Sequence, residues 1–282
     1  MESAHIQTVS SLQKRGYFYV EPESRRIKVY RLPEDVHSFI GKLTKLAARK
    51  NCDKIIIYVR PHSKEEAAVK KLYYQYEGGI EGFFRGSDTK IYADFLQPSR
   101  NEPDPANVIA QVKEMNIKPQ AKEESLALGY KMKWAKEKNS NELANLYRKV
   151  FSKYPTPIHD PHYLEKLLRE DTYFSLIYKD EQLVSACSAD IFSKFEAAEF
   201  TDCATLPPHR GKGLLSYQYL KLEEKMRELR IRMMFSYTRA KSMGMNIVAA
   251  RQGFTYGGCM IKNSMIGSGL EDMNIWYKSL GG

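Results

Sequence analysis

The sequence predicts an α/β protein with two domains: a carboxy-terminal domain built on a central mixed β-sheet flanked by helices, and a smaller α/β domain before it. Three observations lead to this fold class. Segments with strand and helix patterns alternate along the 282 residues. Residues 97–124 are polar and rich in proline, as is typical of a linker. A strand pattern, a glycine-containing turn and a long amphipathic helix follow one another over residues 197–226.

The amino-terminal domain, residues 1–122 with the linker included, is predicted from short patterned segments. Strand patterns occur at residues 26–32, at 54–61, around Phe83 and at 90–96, and helix patterns occur at 36–51 and 63–76. Ser63 is suited to cap the second of these helices. Gly78 and Gly79 are expected to break the chain after it. The linker is predicted to hold one helix that starts at Asp104-Pro105.

The carboxy-terminal domain, residues 123–282, continues this alternation. Strand patterns occur at 127–135, 173–179, 182–192, 197–206, 233–239 and in the region that ends at Lys278, and helix patterns occur at 141–151, 163–168, 214–229 and 245–251. In both domains a strand and a helix lead, at about the same spacing, to a glycine pair, at 78–79 and at 257–258. We therefore hypothesise that the first domain is a degenerate copy of the second.

Composition bounds the location and the partners of the protein. No apolar run approaches the roughly 20 residues of a membrane span, and the first residues lack the apolar core of a secretory signal. The 4 cysteines are scattered, which suits a reducing compartment. We therefore expect a cytoplasmic protein that does not bind membranes. The net charge of +10 favours anionic partners, but the lysines and arginines are spread along the chain, and we expect no nucleic-acid binding.

The most informative motif is Arg210-Gly211-Lys212-Gly213, which lies between a strand and a helix. This order directs unpaired backbone N–H groups and the positive end of the helix dipole to one point, where an oxyanion fits. Glycines let the backbone approach a phosphate closely, and Arg210 and Lys212 add positive charge. The turn has neither the Walker P-loop spacing nor the dinucleotide-binding GxGxxG spacing. We expect its ligand to be a diphosphate.

This turn resembles the coenzyme-binding motif of the GNAT acetyltransferase superfamily, which also lies between a strand and a long helix. Asn246, followed by Gly253-Phe254, matches a later segment of that superfamily, and the resemblance covers roughly residues 127–282. Leu215 stands where the motif ends in glycine or alanine. The resemblance implies acetyl-CoA as cosubstrate. The residues that would hold it are Ala204, Thr205, Leu206, Arg210, Gly211, Lys212, Gly213, Leu214, Leu215, Ser216 and Asn246.

More specifically, the sequence resembles the β-lysine Nε-acetyltransferase family. The resemblance is carried by TDCATLPPHRGKGL, MGMN, FTYGG and GLEDMNIWYK and, in the amino-terminal half, by YEGGIEGFFRG. It implies transfer of acetyl from acetyl-CoA to the ε-amine of β-lysine, a product of lysine aminomutation that some microbes accumulate as a compatible solute. The identity of this substrate depends on the resemblance alone.

Acetyl transfer to an amine needs a base, because an ε-ammonium with a pKa near 10.4 is almost fully protonated at neutral pH. The superfamily implies a catalytic glutamate in the strand before the glycine turn, and Glu199 lies there. On a regular strand Glu199 and Asp202 face opposite sides, so Asp202 needs a bulge to act as a second base or as a partner of the substrate ammonium. Ala250 stands where a proton-donating tyrosine is expected. The proton donor would then be Tyr256, which we select, or alternatively Tyr237 or water.

A diamino acid carries two ammonium groups and a carboxylate, so its site needs acids near the non-reacting amine and a cation at the other end. Asp160, Glu271 and Asp272 are the candidate acids, with exposed loop positions as the alternative for the last two. His159 and His162 have a spacing compatible with metal ligands, but neither a helix nor a third ligand accompanies them. We therefore expect no metal site.

Other functions remain open at this point. The acceptor could be a polyamine, an antibiotic or a protein lysine instead of a diamino acid. The chain could also be a noncatalytic acetyl-CoA sensor, which Leu215 and Ala250 would suit. The sequence does not define the number of subunits, and a homodimer is compatible with it.

Overall fold

The computed structural model describes residues 13, 15–119 and 125–281. Within them, twelve strands form one sheet in the order β1-β2-β3-β5-β4-β11-β12-β10-β9-β8-β7-β6. The strands are β1 Phe18–Glu21, β2 Arg26–Val29, β3 Lys54–Val59, β4 Gln75–Phe84, β5 Ser87–Phe95, β6 Tyr130–Trp134, β7 Thr172–Lys179, β8 Gln182–Phe192, β9 Ala197–Thr205, β10 Met233–Arg239, β11 Thr255–Ile266 and β12 Gly269–Ser279. The α-helices are α1 Val36–Arg49, α2 Lys64–Lys71, α3 Ile109–Glu114, α4 Ser140–Val150, α5 Pro161–Arg169, α6 Leu214–Glu228 and α7 Met243–Arg251.

The predicted α/β class with a mixed, helix-flanked sheet is confirmed. The neighbours β2 and β3, and likewise β9 and β10, run parallel, whereas the other neighbouring strands are antiparallel. Three apolar clusters join helices to the sheet: α1 and α2 pack on β2 and β3, α4 and α5 pack on β7 and β8, and α6 and α7 pack on β9 and β10. None of the helices in the described part of the chain combines the length and apolar character that a bilayer span needs.

Local sequence accounts for where the first two helices begin. Helix α1 buries the apolar side chains that its period predicted, from Val36 to Ala47. Its N-cap, Asp35, accepts a hydrogen bond from the backbone N–H of Ser38 at 3.1 Å. Ser63 caps α2 as predicted, accepting from the N–H of Glu66 at 3.0 Å. Strand β1 was not predicted, because only four residues pair with β2 and their alternation is too short to recognise.

The two halves of the sheet share a strand order. In one half the sequence is β2-β3-β5-β4, and in the other it is β9-β10-β12-β11, each beginning with its parallel pair. Strand β4 shifts register against β5 between Tyr76 and Gly78, and β11 shifts against β12 between Tyr256 and Gly258. This correspondence agrees in topology with the hypothesis of a degenerate copy. Duplication itself stays a hypothesis.

The two halves meet where their glycine pairs touch. The sequence suggested that Gly78 and Gly79 break the chain. They lie instead inside β4, where Gly78 pairs with Gly258 of β11. A Cβ on Gly258 would lie 2.3 Å from the carbonyl oxygen of Glu77, and one on Gly257 would lie 2.2 Å from that of Gly79. Glycine is therefore required here because the two backbones approach more closely than a side chain allows.

Candidate active site

A gap between the parallel strands β9 and β10 forms the centre of the site. Their pairing begins at Met233 and Ala197 and ends at Phe235 and Glu199. Just beyond it, the hydroxyl of Ser236 donates to the carbonyl oxygen of Phe200 at 2.8 Å, and no further pairing of β9 with β10 occurs in the described residues. The backbone of β9 from residue 201 onward is thus open on this side. The gap opens into a cavity of about 1370 Å³.

A β-bulge brings two carboxyl groups into this cavity. Ala186 and Ser188 of β8 pair with Ala204 and Thr201 of β9, so β9 carries one extra residue between them. Asp202 lies in this bulge with a φ of 52°. As a result Asp202 and Glu199, which a regular strand would place on opposite faces, both line the cavity.

The environment of Glu199 suits a group that exchanges protons near neutrality. Burial raises the pKa of Glu199 to about 7, while the nearby cations Lys28 and Arg26 oppose the rise. The charge of Asp202 adds to it. A carboxyl with this pKa is substantially ionised at neutral pH and accepts a proton readily, as a general base requires.

Asp202 is held differently. Its Oδ1 accepts a hydrogen bond from the Tyr154 hydroxyl at 2.8 Å, and its Oδ2 accepts one from the Ser188 hydroxyl at 2.9 Å. The Tyr147 hydroxyl donates to its backbone carbonyl at 3.0 Å. Burial raises the pKa of Asp202, and the Tyr154 and Ser188 hydrogen bonds oppose this. Because both oxygens already have donors, Asp202 is less free than Glu199 to receive a proton from a substrate.

The glycine turn has the conformation that its sequence indicated. Gly211 and Gly213 have φ values of 73° and 72°, in the left-handed region that favours glycine. Gly213 is the N-cap of α6, and no side chain caps that helix. The first-turn N–H groups therefore have no intrahelical acceptor and are available to an anion. Arg210 and Arg251 line the cavity with this turn and supply positive charge.

Most of the residues predicted to hold the coenzyme line this cavity, and four do not. Those that line it are Thr205, Arg210, Gly211, Gly213, Leu214, Leu215 and Ser216. Ala204 is buried in the apolar cluster under α4 and α5. The N–H of Leu206 is engaged by the Val184 carbonyl oxygen at 2.9 Å. The Lys212 ammonium lies 5.8 Å from the centre of the Tyr130 ring instead of lining the cavity.

Asn246, the fourth, has an internal role that corrects its assignment as a coenzyme ligand. Its side chain is fully buried and does not line the cavity. The Asn246 Oδ1 accepts hydrogen bonds from Thr238, Asn274 and Trp276 at 2.8 to 3.0 Å. Its Nδ2 donates to the carbonyl oxygens of Arg239 and Ser242. The amide therefore fixes the connection from β10 to α7, and no polar atom is left for a ligand.

The three predicted substrate acids are likewise engaged elsewhere and do not line the cavity. The Glu271 carboxylate accepts two hydrogen bonds from Arg239, both at 2.7 Å, and Lys241 lies 2.9 Å away. Asp272 accepts from the N–H groups of Lys262 and Asp104 at 2.7 and 2.8 Å. Glu271 and Asp272 are buried, so the alternative of exposed loop acids is also wrong.

Asp160 and Tyr256 complete the corrections. Asp160 is exposed and caps α5 by accepting from the N–H of His162 at 2.9 Å. Tyr256 packs edge to face against Trp276, with ring centres 5.7 Å apart, and lies outside the cavity. Tyr237, the alternative proton donor, does line the cavity, and its hydroxyl lies 2.8 Å from that of Tyr58.

The amino-terminal half supplies one wall of the cavity, which sequence reasoning missed. Glu21, Arg26 and Lys28 line it from β1 and β2. Although burial alone would raise the pKa of Glu21, its pairing with Arg26 and Lys28 holds that pKa at about 2. Neither α1 nor α2 of this half begins with a glycine turn of the same kind. Helix α1, which corresponds to α6, begins with a side-chain cap from Asp35 instead of a glycine turn.

Charged side chains of both signs line the cavity. The acids are Glu21, Glu170, Asp171, Asp190, Glu199 and Asp202, and the cations apart from Arg210 and Arg251 are Arg26, Lys28, Lys194 and Arg239. Asp190 is the cross-strand neighbour of Glu199. Burial, together with the charges of Asp202 and Glu199, raises the pKa of Asp190 well above its usual range. A pattern of alternating residues along β8 could not reveal Asp190 as a site residue, because the register of β8 against β9 depends on the bulge.

Comparison with known proteins agrees with this geometry. Residues 140–254, which span the gap, the bulge and the glycine turn, match the model of the acetyltransferase (GNAT) family. The chain is 34% identical over 259 residues to "N-acetyltransferase YodP" of Bacillus subtilis, covering 91% of this chain and 93% of that protein. It is 29% identical to "Beta-lysine N(6)-acetyltransferase" of Methanosarcina mazei, and the match covers 85% of this chain and 96% of that protein. It is also 29% identical to the protein of the same name in Methanococcus maripaludis, where the match covers 90% of this chain and 92% of that protein.

Within the described residues, no group of three His, Cys, Asp or Glu side chains is arranged to hold a metal ion. The site instead joins an open strand edge, a carboxyl with a near-neutral pKa and an uncapped helix start in a single cavity. These features and the relatives lead to one conclusion: the chain belongs to the GNAT family and is an acetyl-CoA-dependent N-acetyltransferase.

Proposed function

We propose that this enzyme acetylates the ε-amine of β-lysine or a closely related diamino acid. The observation that carries the proposal is that acids and cations both line the cavity that contains Glu199, with Lys28, Arg26 and Asp202 close enough to shift its pKa. A diamino acid has ammonium groups for the acids and a carboxylate for the cations. Two relatives that match most of the chain have β-lysine in their names, which supports the same substrate.

Glu199 is proposed as the general base. It would accept a proton from the ε-ammonium, whose unperturbed pKa is about 10.4, and so free the nitrogen lone pair. The nitrogen then attacks the thioester carbonyl carbon, and the carbon–sulfur bond breaks as the amide forms. The nitrogen also loses its second proton, which balances the proton that the leaving thiolate takes up. The open edge of β9 after Phe200 offers backbone groups to the developing oxyanion. Both substrates bind together, so the acetyl group passes directly to the amine.

The proposed coenzyme site follows the glycine turn into α6. The N–H groups at the start of α6 would bind the diphosphate, with Arg210 and Arg251 neutralising phosphate charge. Thr205 and Leu215 line the same part of the wall. Tyr237 is the tyrosine that we propose for protonating the leaving thiolate, in place of Tyr256, because it lines the cavity.

Asp190 and Asp202 are proposed to receive the second ammonium of the substrate. Both line the cavity with Glu199, and both have a raised pKa that an adjacent cation would lower.

We also propose a domain boundary at residues 122 and 123, a cytoplasmic location, and a product that serves as a compatible solute. We propose likewise that the enzyme forms a homodimer and does not bind nucleic acid.

Turnover of three matched amines tests the substrate. β-Lysine carries both binding groups, 6-aminohexanoate lacks the second amine, and 1,4-diaminopentane lacks the carboxylate. We expect kcat/KM for β-lysine to exceed that for either analogue by about tenfold or more, as one charged hydrogen bond would give. Faster turnover of a polyamine, an aminoglycoside or a lysine-containing peptide would overturn the diamino-acid proposal. Tight acetyl-CoA binding without thiol release with any amine would indicate a sensor.

A further inference from the structure

Lys28, on a strand of the amino-terminal half, lies at the wall of a cavity whose reacting groups belong to the other half. Its side chain is 9% exposed, and its ammonium lies 3.2 Å from Oε1 of Glu21. It also lies 5.8 Å from the centre of the Tyr237 ring. Tyr237 and Lys28 both line the cavity, so the ammonium is close to the proposed reaction centre although it is contributed from a distant part of the sequence.

Lys28 shares its carboxylate partners with Arg26. Oε2 of Glu21 accepts from Nε of Arg26 at 2.6 Å and lies 2.5 Å from its Nη2. Glu199 is the second carboxyl group whose charge acts on both cations. Arg26 has further partners, because its Nη1 donates to the carbonyl oxygen of Asn263 at 2.6 Å and to the hydroxyl of Ser264 at 3.0 Å. Lys28 has one ion pair among the described residues, with Glu21, so its ammonium keeps N–H donors that a further anion can use.

Arg239, another cation that lines the cavity, is less suited to bind a ligand anion. Its Nε and Nη2 are occupied by Glu271, and its side chain is 31% exposed, so water also stabilises its charge. Lys28 is far less accessible to solvent, and a buried cation gains most from an added anion. An anionic group of the substrate is the partner that the cavity can provide.

We propose that Lys28 binds the carboxylate of the amino-acid substrate and thereby gives the enzyme its preference for a diamino acid over a diamine. This inference rests on the proposed function and extends it. It assigns the amino-terminal half a direct part in substrate recognition. The acids that line the cavity would by themselves accept any diamine, and the carboxylate contact is what distinguishes the two classes.

The test is the ratio of kcat/KM for β-lysine to kcat/KM for 1,4-diaminopentane, in wild type and in Lys28→Met. Methionine keeps the length of the side chain, and Glu21 keeps Arg26 as its partner. The assays are run at about pH 9, well above the wild-type Glu199 pKa of about 7, so that the rise in this pKa expected on loss of Lys28 has the least effect on its ionisation. We expect the ratio to fall about 10-fold to 100-fold in Lys28→Met. Lys28→Arg should restore part of it.

Lys45→Met, an exposed position on α1, is the matched control and should leave the ratio at the wild-type value. A wild-type preference for β-lysine that survives Lys28→Met would overturn the assignment of Lys28 and leave the proposed function intact. A wild-type enzyme without preference for the carboxylate-bearing amine would overturn both. The KM for acetyl-CoA, which Lys28 does not serve, should be the same in all variants and so reports correct folding.

Discussion

Glu199 and Asp202 lie three positions apart on β9, yet both line the same cavity because Asp202 belongs to the bulge between Thr201 and Ala204. The backbone of Asp202 is left-handed as a result, a conformation that is strained for a residue other than glycine. Two acids are thus available as the base, and they differ in their surroundings. Asp202 is bound by Tyr154 and Ser188, whereas the pKa of Glu199 is about 7.

Replacement of Glu199 by glutamine should identify it as the base. In wild type, kcat/KM should rise with pH up to about 7 and then level off, because the ionised form is active and predominates above the pKa. In Glu199→Gln we expect kcat to fall about 10²-fold to 10⁴-fold and the break near pH 7 to disappear. Steady-state rates from pH 5.5 to about 9.5 would measure both effects. A variant with the wild-type rate and break would remove Glu199 from the mechanism.

Asp202→Asn should give a different result. The charge of Asp202 raises the pKa of Glu199, so its removal should move the break in kcat/KM to lower pH without abolishing it. Asparagine tolerates a left-handed backbone well, so the bulge is expected to persist. We expect kcat to stay within about tenfold of wild type. If the break is lost in Asp202→Asn and kept in Glu199→Gln, Asp202 is the base.

The glycine turn can be tested at Gly213. A Cβ there would meet no protein atom within 4 Å, but its φ of 72° strains any other residue by about 1–2 kcal/mol. Gly213→Ala should therefore raise the KM for acetyl-CoA about 5-fold to 30-fold, because the turn must keep this conformation to present its N–H groups. Gly41→Ala is the control: it lies in α1 with ordinary helical geometry and no neighbour within 4 Å. A KM that is equal in the two variants would contradict a coenzyme site at this turn.

Much of the architecture could be predicted because it depends on local pattern. The predicted segments 182–192 and 233–239 coincide with β8 and β10, since alternation and turn residues act over short distances. Gly211 and Gly213 were recognisable because a left-handed turn before a helix has a distinct composition. The conformation of the glycine turn was therefore accessible from the sequence.

The structure gives several of the predicted site residues internal partners far along the chain. Glu271 was chosen as a substrate acid, but Arg239 binds it across two strands, 32 residues away. Asn246 was chosen as a coenzyme ligand, but its partners include Asn274 and Trp276, at separations of 28 and 30 residues. Sequence reasoning missed Lys28 because its neighbours at the site, such as Tyr237, are distant in sequence. Lys28 approaches Tyr237 because the two halves share one sheet. Burial and pairing of polar groups at such separations follow from tertiary packing alone.

The contact between Gly78 and Gly258 explains how the two halves share that sheet, and it provides the last prediction. A Cβ on Gly258 would lie 2.3 Å from the carbonyl oxygen of Glu77 and 2.6 Å from the Cα of Gly78, both of them backbone atoms that cannot move independently. We expect Gly258→Ala to lower the free energy of unfolding by about 2–3 kcal/mol. Gly269→Ala, on the neighbouring strand with no atom within 4 Å, is the matched control and should be nearly neutral.

Chemical denaturation followed by circular dichroism measures this loss, and substrate kinetics measure its consequence. Because Lys28 reaches the cavity through the joined sheet, Gly258→Ala should also raise the KM for β-lysine more than that for acetyl-CoA, whose proposed site lies wholly in the carboxy-terminal half. Equal stability of Gly258→Ala and Gly269→Ala would show that the strands can separate at this point without cost. A selective rise in the KM for β-lysine would instead tie the approach of the two glycines to substrate binding.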